Sequence, residues 1–173
     1  GNRRYVRHTA RQPESKINMA VGHAANFTIP PQLLEQRGLL LQQEATELVL
    51  AETGEGGRQY LLTPATKLAW QAMKAAASED GVALLMISAF RIVARQTEII
   101  SDKLAEGQYL EDILLICAPP GYSEHHTGRA IDIATPEDPE LEISFDTTAA
   151  FAWLQNNAKR FGFQMSYPLG NSS

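Results

Sequence analysis

The segment "SEHHTGRAID", residues 123–132, places His125, His126 and Asp132 within eight positions of one another. Imidazole nitrogen and carboxylate oxygen suit a catalytic zinc, which takes three protein ligands and keeps a fourth position open for water. Gly128 permits a tight bend between the two kinds of donor. His125 in a loop and Asp132 on a following strand can therefore face one point. Adjacent residues of an extended chain point apart, so His125 and His126 are not expected to share an ion. His126 is expected behind the ligand layer or exposed, and Glu124 is expected as a solvated carboxylate pointing away. His8 and His23 lie far along the chain and match no ligand position. One histidine and one aspartate are a weak signal on their own, because a solvated loop with a surface carboxylate explains the same letters.

Positioning such a pair requires elements on both sides of it. "RAIDIAT" (129–135) reads as a short strand, with Ile131 and Ile133 facing one way and Asp132 the other. "VALLMIS" (82–88) reads as a second, buried strand. The clearest helix is expected at 64–79, capped by Thr63, opened by Pro64 and ended by Gly81. Its expected core stripe is Leu68, Ala69, Ala72, Met73 and Ala76. Further helices are expected at 92–106 and 147–160, and "FQMSYP" begins another strand. Trp70 and Trp153 fall on helical stripes and are expected in the core. "ETGEGG" is a loop. Residues 1–22, with Arg3, Arg4, Arg7, Arg11 and Lys16 and little periodicity, are expected to be a surface arm or linker. The remainder, 23–173, forms the expected domain. Helices and strands mix without regular βαβ alternation, which predicts an α+β class.

Composition narrows the function. A chain of 173 residues with 44% hydrophobic content can bury a core without disulfide or metal staples. A net charge of −5 argues against a broad phosphate-binding surface, so nucleic acid is not an expected partner. The single cysteine, Cys117, cannot pair internally and is expected as a buried, inert thiol. No run of about 18 apolar residues is present, so no membrane span is expected in these residues.

The longer pattern is more specific. "SEHHTGRAID" resembles the Ser-x-His-x-x-Gly-x-Ala-x-Asp signature of the zinc D-alanyl-D-alanine carboxypeptidases, through Ser123, His125, Gly128, Ala130 and Asp132. That family includes the vancomycin-resistance D,D-carboxypeptidases and shares its fold with hedgehog signalling domains. "SAFRIVARQ" is similar to the family's Ser-x-(Tyr/Phe)-Arg-x-x-x-x-Gln segment, through Ser88, Phe90, Arg91 and Gln96. "FAWLQNNAKRFGFQMSYPLGN" is similar to the helix and strand that follow. The resemblance spans roughly 60–173. It implies a small antiparallel or mixed sheet with helices packed on it, of hedgehog/D,D-peptidase type. It implies Zn2+ as cofactor, with His125 and Asp132 as two of three ligands. Arg91 would stabilise the oxyanion at the scissile carbonyl, and Ser123 and Gln96 would bind the substrate's terminal carboxylate or nearby backbone. The bland alternatives are a surface position for Gln96 and a turn-capping role for Ser123.

The implied partner is the peptidoglycan stem peptide, and the implied site of action is the cell envelope or periplasm. The protein is expected to be a monomer, anchored there through a segment preceding Gly1. The family's general base and third ligand belong to a Glu-x-x-His segment on a strand after "SYPLG". No histidine follows His126 here, so that segment is expected beyond Ser173, with its natural loss in a pseudoenzyme as the alternative, and metal binding by residues 1–173 alone is expected to be weak or absent. Within the resemblance, removal of a terminal D-alanine competes with L,D-carboxypeptidase or stem-peptide endopeptidase activity. A non-catalytic peptidoglycan-binding domain of the same fold is the rival from another class.

Overall fold

The computed structural model describes residues 5–8, 26–140 and 145–166. Four strands form an antiparallel sheet in the order β4-β5-β1-β6: β1 (Tyr5–His8), β4 (Leu85–Ser88), β5 (Ala130–Ala134) and β6 (Phe163–Ser166). A separate hairpin joins β2 (Val49–Thr53) to β3 (Gln59–Leu62). Five helices accompany them: α1 (Pro31–Gln36), α2 (Pro64–Glu79), α3 (Val93–Ala105), α4 (Leu110–Ile116) and α5 (Ala149–Asn157). The class is the α+β arrangement expected, with every strand pair antiparallel.

The position of β1 overturns one expectation. Tyr5–His8 is not part of a surface arm but pairs with β5 on one side and β6 on the other. The cause is Val6, which is 1% exposed and sits in the main core. The rest of the expected arm, 1–4 and 9–22, lies outside the described residues, as does His23.

Helix α2 begins where the capping chemistry places it. The Thr63 hydroxyl accepts a hydrogen bond from the Thr66 N–H, and Pro64 occupies the first turn. Its buried face, however, is Thr66, Trp70, Met73 and Ala77, whereas Leu68 is 68% exposed. The expected stripe is rotated by about one residue. Burying the Trp70 ring outweighs burying Leu68, and the helix turns to suit the larger apolar area. The Trp70 indole N–H donates to Glu52 Oε1 at 2.9 Å, which ties α2 to the hairpin. On α5, the Trp153 N–H donates likewise to Asp80 Oδ2 at 2.7 Å. Both tryptophans are core residues. A second, smaller cluster of Ile100, Ile113 and Leu114 joins α3 to α4.

Candidate active site

All five residues of β5 are buried. Ile131 and Ile133 enter the main core, so alternation sends Asp132, only 5% exposed, to the opposite face. On its flanks Asp132 pairs with Tyr5 of β1 and Ser88 of β4. The β4 register shifts between Met86 and Ser88. Such an irregularity adds local twist and re-aims side chains. Here it sets Ser88 beside Asp132.

His125 lies on a 3-10 turn, Glu124–Thr127. The Ser123 hydroxyl caps this turn by accepting from the His125 N–H at 3.3 Å. Gly128 closes it in the left-handed region (φ 67°). A Cβ there would lie 2.9 Å from Leu48 and 3.2 Å from both Ala45 and Thr63, so glycine is required by space as well as by conformation. The turn is held by backbone bonds from elsewhere in the chain. Thr63 N–H donates to Gly128 O, Ala45 N–H to His126 O, and Gln42 N–H to Gly121 O.

The two donors meet. His125 Nε2 lies 3.3 Å from Asp132 Oδ1, and both side chains are 7% exposed. His125 Nδ1 is 2.8 Å from the Ala89 carbonyl, which can only accept, so Nδ1 carries the proton. That leaves the Nε2 lone pair directed at a carboxylate oxygen, an arrangement that needs a cation or proton between them. Tetrahedral zinc with ligand distances of about 2.0–2.1 Å sets neighbouring donors roughly 3.3–3.4 Å apart. The Nδ1–H to carbonyl bond is the support that orients a metal-binding imidazole. The pair therefore fits two vertices of a zinc site. Among the described residues no group of three or more His, Cys, Asp or Glu residues is suitably placed to complete it.

Arg91, Gln96 and Ser123 line the same cavity as His125 and Asp132, a cleft of about 1080 Å³. The Arg91 guanidinium donates to Ser88 Oγ at 2.9 Å and to Gln96 Oε1 at 3.0 Å. Gln96 is 2% exposed, so it is not a helix-surface residue, and its amide donates to Ala118 O at 2.7 Å. Helix α3 has no side-chain cap of its own. Instead Glu44, from 49 residues away, accepts from the Val93 N–H at 2.9 Å and places a carboxylate at the positive end of the helix.

Glu124 and Cys117 differ from the expectations, whereas His126 takes the first of its two expected places, behind the ligand layer. His126 is 0% exposed, because its ring bonds to the Arg91 carbonyl and the Gly121 N–H and has no route to water. Desolvation by burial lowers its pKa from the ordinary histidine value, which favours the neutral ring. Glu124 is half-buried on the cleft wall rather than solvated, since the 3-10 turn folds it inward. Cys117 is half-buried and also borders the cleft. Ser88 and Glu44 hold the site together, yet neither was expected to from its residue type and spacing alone.

Comparison with known proteins points to one family. The pattern of the family described as VanY, D-alanyl-D-alanine carboxypeptidase, matches residues 59–173. A D-alanyl-D-alanine carboxypeptidase of Enterococcus faecalis (strain ATCC 700802 / V583) is 34% identical over 101 residues, which is 54% of this chain and 36% of that protein. The chain thus spans about a third of that relative's length. The LdcB LD-carboxypeptidase, solved to explain peptidoglycan recognition, superposes with a TM-score of 0.60 at 28% identity, over 69% of this chain and 57% of that one. A mutant of the vancomycin-resistance D,D-pentapeptidase VanY in complex with Zn(II) superposes with a TM-score of 0.52 at 28% identity, over 69% and 66%.

Proposed function

This chain belongs to the VanY D-alanyl-D-alanine carboxypeptidase family, and we propose that it acts as a zinc-dependent carboxypeptidase removing the terminal D-alanine from peptidoglycan stem peptides. The observation that carries the reading is the 3.3 Å approach of His125 Nε2 to Asp132 Oδ1 on the wall of a cleft that Arg91 also lines. In this reading His125 and Asp132 would hold two of the zinc's ligand positions, and the third ligand and the general base would come from the Glu-x-x-His segment that the family resemblance implies. Bound zinc would supply an acidified water and polarise the scissile carbonyl.

Arg91 keeps its charge at any working pH and presents a rigid fork of donors. Ser88 and Gln96 fix that fork from two sides, so its reorganisation cost is met before substrate arrives. Arg91 would then stabilise the oxyanion that develops on the carbonyl. Ser123 and Gln96 would bind the substrate's terminal carboxylate or adjacent backbone; Ser123 already accepts from the His125 N–H. Action on this substrate would take place in the cell envelope or periplasm.

The test is digestion of a stem pentapeptide ending in D-Ala-D-Ala by the full-length protein, read by mass spectrometry, with and without a chelator and zinc add-back. Loss of one alanine, abolished by the chelator and restored by zinc, supports the proposal. The LdcB likeness supports a second reading, L,D-carboxypeptidase activity. That enzyme would trim the tetrapeptide and leave the pentapeptide intact. Binding of both peptides without cleavage would instead identify a non-catalytic peptidoglycan-binding domain.

A further inference from the structure

The second histidine of the doublet has its own task. His126 Nδ1 lies 2.7 Å from the Arg91 carbonyl oxygen. A carbonyl only accepts, so Nδ1 carries the proton. Nε2 is then an acceptor, and the Gly121 N–H donates to it at 3.1 Å. One neutral ring thus joins the 3-10 turn, the Gly121 turn and the segment entering α3. The preceding residue completes the attachment, because the Arg91 N–H donates to the His125 carbonyl at 3.1 Å. Consecutive histidines therefore hold both polar groups of the Arg91 main chain. The ring of His125 bonds to Ala89 O, two residues earlier on the same segment. The turn that bears the zinc-ligand candidate and the segment that bears the guanidinium are thereby locked to each other.

We propose that His126 is a positioning residue for Arg91: its ring sets the distance and angle between the Arg91 guanidinium and the His125–Asp132 pair. This rests on the reading above, in which Arg91 acts on the carbonyl of the substrate. The ring is fully buried, so a side chain here must supply both a donor and an acceptor from protein alone. Leucine supplies neither. Glutamine supplies an amide N–H and a carbonyl oxygen on one rigid group. A misplacement of about 1 Å at a reacting centre can cost about a hundredfold in rate.

The experiment uses the full-length protein with His126→Leu, His126→Gln, Arg91→Ala and the His126→Leu/Arg91→Ala double variant. It reads kcat and KM on the D-alanine-terminated peptide, zinc content and melting temperature. His126→Leu is expected to lower kcat by about ten- to a hundredfold, with KM within about threefold and zinc retained. His126→Gln is expected to recover most of that loss. In the Arg91→Ala background, His126→Leu is expected to cost nothing further, because the group it positions is gone. A merely structural role would give the same loss in both backgrounds and would overturn the proposal, as would wild-type kcat in a folded His126→Leu protein. If Arg91→Ala itself keeps full activity, the role given to Arg91 fails, and the proposal with it. Should the leucine variant not fold, nitrogen-15 spectra of the native imidazole decide: a proton on Nδ1 supports the proposal and one on Nε2 overturns it.

Discussion

Gly128→Ala separates two costs that usually travel together. Gly128 has φ of +67°, and an added Cβ would meet Leu48 at 2.9 Å, Ala45 at 3.2 Å and Thr63 at 3.2 Å. Placing an L-residue in the left-handed region costs about 1–2 kcal/mol. Loss of unfolded-state freedom offsets about 0.4–1 kcal/mol of that. The Leu48 methyl is the end of a flexible side chain and can move. Ala45 Cβ and Thr63 Cγ2 sit on short side chains whose backbone is bonded to this same turn, so they give little. Overpacking of this kind costs about 1–3 kcal/mol. The sum is about 1–5 kcal/mol, or roughly 2–18 °C in melting temperature for a chain of this size. Gly56→Ala is the control, because Gly56 has nearly the same φ (+68°) but nothing within 4 Å of a Cβ. It should lose no more than about 1.5 kcal/mol, the strain term alone. Differential scanning calorimetry on both variants reads the difference. If the two melt within about 1 °C of each other, the close packing around Gly128 is not what requires glycine, and the steric argument is wrong.

Other outcomes follow from the same contacts. His125→Ala and Asp132→Ala should each lower zinc content and turnover together, measured by metal analysis and peptide digestion. Arg91→Ala should leave zinc bound and lower turnover by about a hundred- to a thousandfold, the cost of one oxyanion donor. Glu52→Ala removes the partner of the buried Trp70 N–H, so calorimetry should show a loss of about 1–3 kcal/mol. Deleting residues 1–8 removes Val6 from the core and leaves β5 and β6 unpaired on facing edges. A loss of at least about 2 kcal/mol is expected in chemical denaturation. Cys117, the single cysteine, borders the cleft, so alkylation followed by mass spectrometry should slow when a stem peptide is bound.

Legibility from sequence follows the range of the forces involved. Helix α2 was readable to the residue because Thr63 and Pro64 act within one turn of its start. The strand "AIDIA" was readable because period-two alternation is local. The helical face was less so: Leu68 and Trp70 compete for the core, and the winner depends on what the sheet offers. Nothing in "YVRH" announces a central strand, since its partners lie about 125 and 160 residues away, as the pairings of Val6 with Ile131 and Met165 record. Helix α4 was also hidden. Its seven residues bury Ile113 and Leu114 but expose Leu115 and Ile116, which is too short a span to display a helical period.

The site itself divides along the same line. The identities of His125, Asp132, Arg91 and Gln96 came from two short patterns, while their relation to one another is a product of the sheet. Asp132 reaches the cleft because Ile131 and Ile133 claim the core face of β5. Ser88 reaches both Asp132 and Arg91 because β4 slips its register after Met86. The His126 ring, which the sequence leaves open between a place behind the ligand layer and an exposed one, is buried because the Arg91 carbonyl and the Gly121 amide each require a partner away from water. A residue that needs both a donor and an acceptor around it cannot be located from its own neighbours in sequence. Its place is decided by which backbone groups the rest of the fold leaves to be satisfied.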